Sequence, residues 1–280
     1  MNESPDMRRA LPAGATDCHA HVIKKDMPLA SGRHSQPARD ASVQDYLHIL
    51  DTHGVTYGLL TAPSFYGPHN DVLLDALAQA GGRLRGTAIV DPGISETALS
   101  DMRDKGVCGL RLNWVKRDAL PDINAPEYAN LLAKAKNLGL HIEVYLEGEL
   151  LPPVLKAINR SGARAVIDHF GNPGGADGVE SAGFRALLDA IAAGNTWVKL
   201  SAPFRLRGSD PAILAKRILA QSNGERAVWA TDWPWVGFED KISYQQCIDG
   251  LFEWVPDNAV RDRILTKTPH ELFGFSPPVK

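Results

Sequence analysis

The chain has 280 residues, 44% hydrophobic and 22% charged, with a formal net charge of -3, enough apolar material for a sizeable globular core. The slight acidity argues against a surface built for polyanions, so no nucleic-acid partner is expected. Met1 to Arg9 carries no apolar leader and no apolar run is long enough to cross a bilayer, so no membrane partner is expected and the chain reads as cytoplasmic.

Short apolar, often β-branched runs alternate with segments of helical period along almost the whole chain. Ala15–Val22 is the first strand, followed by a helix that opens at Ser42 and stops at Gly54. Strands at Tyr57–Ala62, Arg85–Val90 and Gly109–Trp114 alternate with helices at Asp71–Gln79, Glu96–Lys105 and Pro126–Leu138. His141–Leu146, Arg164–His169, Thr196–Ser201 and Arg226–Thr231 complete the strands, with helices at Pro152–Arg160, Phe184–Ala193, Pro211–Ala220 and Tyr244–Val255. Eight βα units demand right-handed crossovers and parallel neighbours, which leaves a closed barrel or an open doubly wound sheet. The first strand runs into Ile23-Lys24-Lys25 and not a glycine-rich phosphate loop, so the expectation is an α/β fold, a single (β/α)8 TIM barrel. An extra C-terminal helix over 257–273 covers one end or packs beside the last unit. Residues 1–280 form one domain in this reading, with 1–12 and 276–280 as loose ends. Self-association into a homo-oligomer is left open.

The stretch Asp17-Cys18-His19-Ala20-His21 sets two imidazoles two residues apart at the end of a strand, where alternate side chains share a face. Such a pair alone is as easily surface or core. Barrel chemistry sits at the C-terminal strand ends, and those ends carry His19 and His21, Ser64, Arg111 and Asn113, Tyr145, His169, Arg205 and Asp232. Taken singly, His169 reads equally as a core histidine, Asp232 as a loop cap, Tyr145 as rim packing, and Arg111 and Arg205 as partners of Glu143 or another carboxylate. Together they place a carboxylate, imidazoles and guanidiniums at one rim. Two rim arginines suit bidentate recognition of carboxylates, so a small anionic substrate is expected. The loop 24–40, with Lys24, Lys25, Arg33, His34 and Arg39, reads as a basic lid or as a solvated surface loop. The cysteines Cys18, Cys108 and Cys247 show no CxxC spacing and read as reduced thiols. Cys18 is expected on the face opposite the histidines, as a small buried hydrophobe behind the barrel wall.

The opening His-x-His, Ile-Asp-His-Phe-Gly at 167–171, Trp-Ala-Thr-Asp-Trp-Pro at 229–234 and Thr-Pro-His-Glu-Leu-Phe-Gly-Phe at 268–275 resemble the amidohydrolase superfamily, most closely its 2-pyrone-4,6-dicarboxylate lactonase-like branch. The resemblance spans roughly residues 11–275. It implies a hydrolase of aromatic-compound catabolism that opens a small carboxylated lactone of pyrone or muconolactone type. By that likeness Asp232 activates water, His19, His21 and His169 polarise the carbonyl, and Arg111, Arg205, Tyr145 and Ser64 grip substrate carboxylates; Asn113 and Arg33 are expected to help hold the substrate. The chemistry itself asks for at least one imidazole protonated beside a carboxylate. Many members carry divalent metals, but here strands four and five offer Arg111, Asn113 and Tyr145, which are poor ligands. No metal is therefore expected. The alternative is one divalent metal, Zn or Mn, on His19, His21, His169 and Asp232, in an amidohydrolase or a decarboxylase of an aromatic-derived acid. A reading of another class is a non-catalytic barrel that binds a small anion. Two departures from the family pattern, Trp235 after Asp-Trp-Pro and the loop histidine His69, bear on the substrate more than on the reaction, with the indole narrowing the mouth or stacking on a flat ring.

Overall fold

The computed structural model describes residues 9–31, 33 and 35–276. His34 and most of the expected loose ends (1–8 and 277–280) lie outside the described residues. Eight parallel strands run in sequence order, β1 (Thr16–Ala20), β2 (Tyr57–Thr61), β3 (Leu84–Ala88), β4 (Val107–Asn113), β5 (His141–Tyr145), β6 (Ala165–Ile167), β7 (Thr196–Leu200) and β8 (Ala227–Trp229). The segment after β8 closes the ring: Asp232 N donates to His19 O at 2.8 Å and His21 N to Trp233 O at 2.7 Å. The expected TIM barrel is the observed architecture.

Helices α1 (Val43–Thr52), α2 (Asp71–Gln79), α3 (Glu96–Asp104), α4 (Pro126–Leu138), α5 (Leu151–Ser161), α6 (Ala182–Ala192), α7 (Pro211–Ser222) and α8 (Tyr244–Trp254) fill the crossovers. Their ends follow the local chemistry. Ser42 and Asp45 form a capping box at α1, as Ser243 and Gln246 do at α8. Gly139 and Gly162 end α4 and α5 in left-handed geometry. The C-terminal segment is one helical run broken by a π turn, with α9 (Asn258–Asp262), the turn Arg263–Lys267 and α10 (Thr268–Phe273). Pro269 lacks an N–H and crowds the preceding turn, which the wider π turn accommodates.

This segment closes the N-terminal end of the barrel. Leu272, Phe273 and Phe275 pack on Cys18, Leu59, Val166 and Val228, contributed by four different strands. Arg85 and Arg164 donate to the carbonyls of Gly274 and Leu272, each at 3.2 Å, and His270 donates to Gly14 O at 2.8 Å. Cys18 is thus buried, but inside the barrel and not behind its wall. The β1–β2 register shifts between Asp17 and Ala20, so strict alternation fails there, and Cys18 and His19 both turn inward. Asp17 turns outward into the β1–β8 seam, where its carboxylate accepts from Thr231 N at 2.9 Å, Thr231 Oγ1 at 2.6 Å and Tyr244 Oη at 3.2 Å. These bonds stand where a ladder would otherwise close the sheet.

Candidate functional site

The C-terminal strand ends surround a cavity of about 360 Å³ lined by His21, Ser64, Arg111, Asn113, Tyr145, His169, Arg205 and Asp232 among others. Asp232 and His169 are fully buried and both adopt left-handed backbone, at φ 64° and φ 50°. Such geometry at a non-glycine residue costs about 1–3 kcal/mol and is held only where the surroundings over-determine it. The expected strand over 164–169 accordingly stops at Ile167, and His169 opens a tight turn that aims its ring at Asp232.

Three imidazoles face one oxygen of Asp232. Nε2 of His21, His19 and His169 lie 3.3, 3.5 and 4.0 Å from Oδ1, while Arg205 Nε donates to Oδ2 at 2.6 Å. Burial would raise the Asp232 carboxyl, but the Arg205 guanidinium, with His169 and His21, holds it well below the usual range. Each ring is oriented from behind: His21 Nδ1 donates to Thr61 O at 2.7 Å, and His169 Nδ1 bonds Ser201 Oγ at 2.8 Å. Burial pulls His169 down to about 3 and, with Lys199, pulls His19 down to about 4. These two rings are neutral near neutral pH. A neutral ring still polarises a carbonyl through its N–H.

Continuous with the cavity floor lies a second, buried charge network. Arg111 donates to Asp168 Oδ2 at 2.9 Å and Ala62 O at 3.0 Å, and its Nε lies 3.1 Å from Glu143 Oε1. Lys199 Nζ, fully buried, stands 2.6 Å from Glu143 Oε2 and 3.1 Å from Asp168 Oδ1. With Arg205 and Asp232 added, three cations face three carboxylates, and the fixed charges cancel. Burial raises Asp168 and Glu143, but Lys199 and its neighbours outweigh it: Asp168 is held well below its ordinary value, Glu143 at about 2.

The structure sorts the sequence expectations. His19, His21, His169 and Asp232 come together. Tyr145 sets its ring edge-on to His169 at 4.8 Å, and Ser64 and Asn113 line the cavity. Arg111 lines it too, yet its guanidinium is already engaged by two carboxylates, the ion-paired reading weighed for it above. Arg205 is held between the Phe204 and Phe238 rings, 5.1 and 5.5 Å from their centroids. Arg33 is exposed and lines an adjoining cavity with Arg117, while Ser35 and Gln36, not the loop's lysines, face the main one. Trp235 is packed in the core and does not line the mouth, because left-handed turns at Asp232 and Trp235 fold the indole inward. His69 is exposed and lines neither cavity. Lys199, Asp168 and Ser201 were given no role from sequence. The available signal was a lysine inside the apolar strand Thr-Trp-Val-Lys-Leu, which cannot be solvated in a barrel wall.

By donor type, His19, His169 and Asp232 fit one divalent ion: their ligand atoms lie within 4.8 Å of one another, and His19 Nε2 is buried with no hydrogen-bond partner. Among the described residues no helix is long and apolar enough to cross a membrane.

Residues 16–275 match the amidohydrolase family. The chain is 30% identical to the 2-pyrone-4,6-dicarboxylate hydrolase of Comamonas testosteroni, over 94% of this chain and 91% of that one. It is 25% identical to the 4-sulfomuconolactone hydrolase of Hydrogenophaga intermedia, over 96% and 91%. Among solved structures, a "probable 2-pyrone-4,6-dicarboxylic acid hydrolase" of Acinetobacter baumannii with citric acid bound superposes with a TM-score of 0.88 at 29% identity, over 94% of this chain and 100% of that one. A zinc-bound amidohydrolase of Burkholderia multivorans, 19% identical with a TM-score of 0.76 over 94% and 99%, shares the fold. The chain belongs to the amidohydrolase family, in the branch of the 2-pyrone-4,6-dicarboxylate hydrolases.

Proposed function

We propose that this amidohydrolase opens a small carboxylated lactone, of pyrone or muconolactone type, by adding water to the ring carbonyl. The observation that carries the reading is Asp232, buried at the cavity wall with three imidazole edges on one oxygen and a guanidinium on the other. That set supplies the two things ester hydrolysis needs, a base for water and donors for the developing oxyanion. The water oxygen bonds to the carbonyl carbon and its proton passes to Asp232, while the Nε2–H edges of His19 and His169 stabilise the oxyanion. The carbon–oxygen ring bond then breaks, and the proton returns from Asp232 to the departing ring oxygen. Arg205 suits a substrate carboxylate, and a carboxylate that draws its guanidinium off Oδ2 raises the basicity of Asp232 as the substrate seats. Two relatives named as lactone hydrolases and a neighbour holding citrate support an anionic lactone.

A second reading rests on the His19, His169 and Asp232 donor set. These residues would hold one divalent metal, Zn or Mn, which when bound polarises a carbonyl as a Lewis acid. A panel of carboxylated lactones, followed by loss of ring absorbance with and without chelator and with metal analysis, separates the two. The expected result is turnover that survives chelation and falls at least about 100-fold in Asp232→Asn. Stoichiometric metal whose removal abolishes turnover establishes the second reading. A wild type that turns over no lactone in the panel, yet binds citrate as tightly as Asp232→Asn does, leaves the non-catalytic anion binder.

A further inference from the structure

A second group of donors lies one layer below the first. His19, Glu143 and Asp168 each offer a ligand atom within 4.8 Å of the others, and all three are buried. One imidazole with two carboxylates suits a divalent cation by chemistry. The space among them is filled by the chain itself. Lys199 Nζ lies 3.0 Å from His19 Nδ1, 2.6 Å from Glu143 Oε2 and 3.1 Å from Asp168 Oδ1. An ammonium has three hydrogens, and here it meets three acceptors.

That arrangement decides which nitrogen of His19 carries the proton. Lys199 has no lone pair, so Nδ1 meets it favourably only as an acceptor, and the neutral ring then holds its hydrogen on Nε2. Without the ammonium the preference reverses. Asp168 Oδ1 lies 3.2 Å from the same Nδ1 and would draw the hydrogen there. Glu143 Oε2 and Asp168 Oδ1, 2.6 and 3.1 Å from Nζ, hold the amine as the cationic partner of the group. Nε2, the atom so provided with a hydrogen, is buried without a partner and faces Asp232 Oδ1 at 3.5 Å.

We propose that Lys199 is a positioning residue: its ammonium stands in the place of a cation among His19, Glu143 and Asp168 and fixes His19 as the Nε2–H tautomer that donates into the cavity. The proposal rests on reading His19 as a carbonyl donor, but the tautomer is observable without any substrate. Nitrogen-15 spectra of the full chain with labelled histidine, at neutral pH and assigned with His19→Asn, are expected to show His19 Nδ1 bare and Nε2 protonated. In Lys199→Met the proton is expected to move to Nδ1, with kcat on a turned-over lactone reduced about 10–100-fold and KM within about threefold. A wild-type ring protonated on Nδ1 overturns the proposal, and that spectrum needs no variant to fold. A folded Lys199→Met protein that keeps Nε2–H and full kcat overturns it as well. The expected tautomers in a protein that hydrolyses no lactone leave this inference standing and defeat the proposed function instead.

Discussion

Acidification tests the buried imidazoles quantitatively. His19 and His169 have folded values of about 4 and about 3 against an ordinary 6.5, so between those limits the unfolded chain binds more protons than the fold, and stability falls as pH falls. From about pH 7 to about pH 4.5 each ring accounts for a loss of roughly 2–3 kcal/mol, about 5 kcal/mol together. Asp17 acts in the opposite sense. Burial raises it to about 6 from 3.8, so the folded chain binds the extra proton and recovers about 2 kcal/mol over the same interval. The depressed carboxylates Asp168, Glu143 and Asp232 lose their contribution only as pH falls below the ordinary carboxylate range. The net expectation is a loss of about 3 kcal/mol, read by urea unfolding at the two pH values with circular dichroism and tryptophan fluorescence required to coincide. In His169→Asn the loss should shrink by about half the combined histidine share. Stability that is unchanged or higher at the lower pH, or a variant that loses as much as wild type, refutes the reasoning.

Three further outcomes follow from the same geometry. Arg111→Met leaves Asp168 and Glu143 to Lys199 alone and should destabilise the protein by about 3–5 kcal/mol in chemical denaturation; a change below about 1 kcal/mol contradicts the buried network. Arg205→Met should raise KM for a carboxylated lactone about tenfold to a hundredfold in steady-state kinetics, and an unchanged KM removes Arg205 from substrate binding. Trp235→Phe should lower Tm while leaving kcat/KM within about threefold, because the indole is packed in the core and not in the mouth.

The barrel was legible because each strand is a short apolar run and each helix has its own start and stop signals, which local chemistry fixes. The site was legible at the level of which strand end carries each group, as for His19, Tyr145 and Asp232. It was not legible where the backbone leaves its regular period. Alternation puts Cys18 and His19 on opposite faces, whereas a shifted register turns both inward. Left-handed turns at Asp232 and Trp235 separate two residues that sequence proximity had placed in one mouth. Lys199 was missed for another reason: its three partners come from β1, β5 and the end of β6, and no local pattern announces so distant a meeting.

The cancellation of charge around Asp232 also bears on how the product leaves. Opening a lactone turns an uncharged ester into a carboxylate, so the product carries one more negative charge than the substrate that entered. Among the described residues the buried cations Arg111, Lys199 and Arg205 are each matched by an acid. A new carboxylate about 4 Å from Asp232, at an effective dielectric of about 20, is repelled by roughly 4 kcal/mol. A carboxylate that the substrate already carries can be met at Arg205, whereas the one formed at the ring carbonyl lies against Asp232, and the buried charge balance favours its departure.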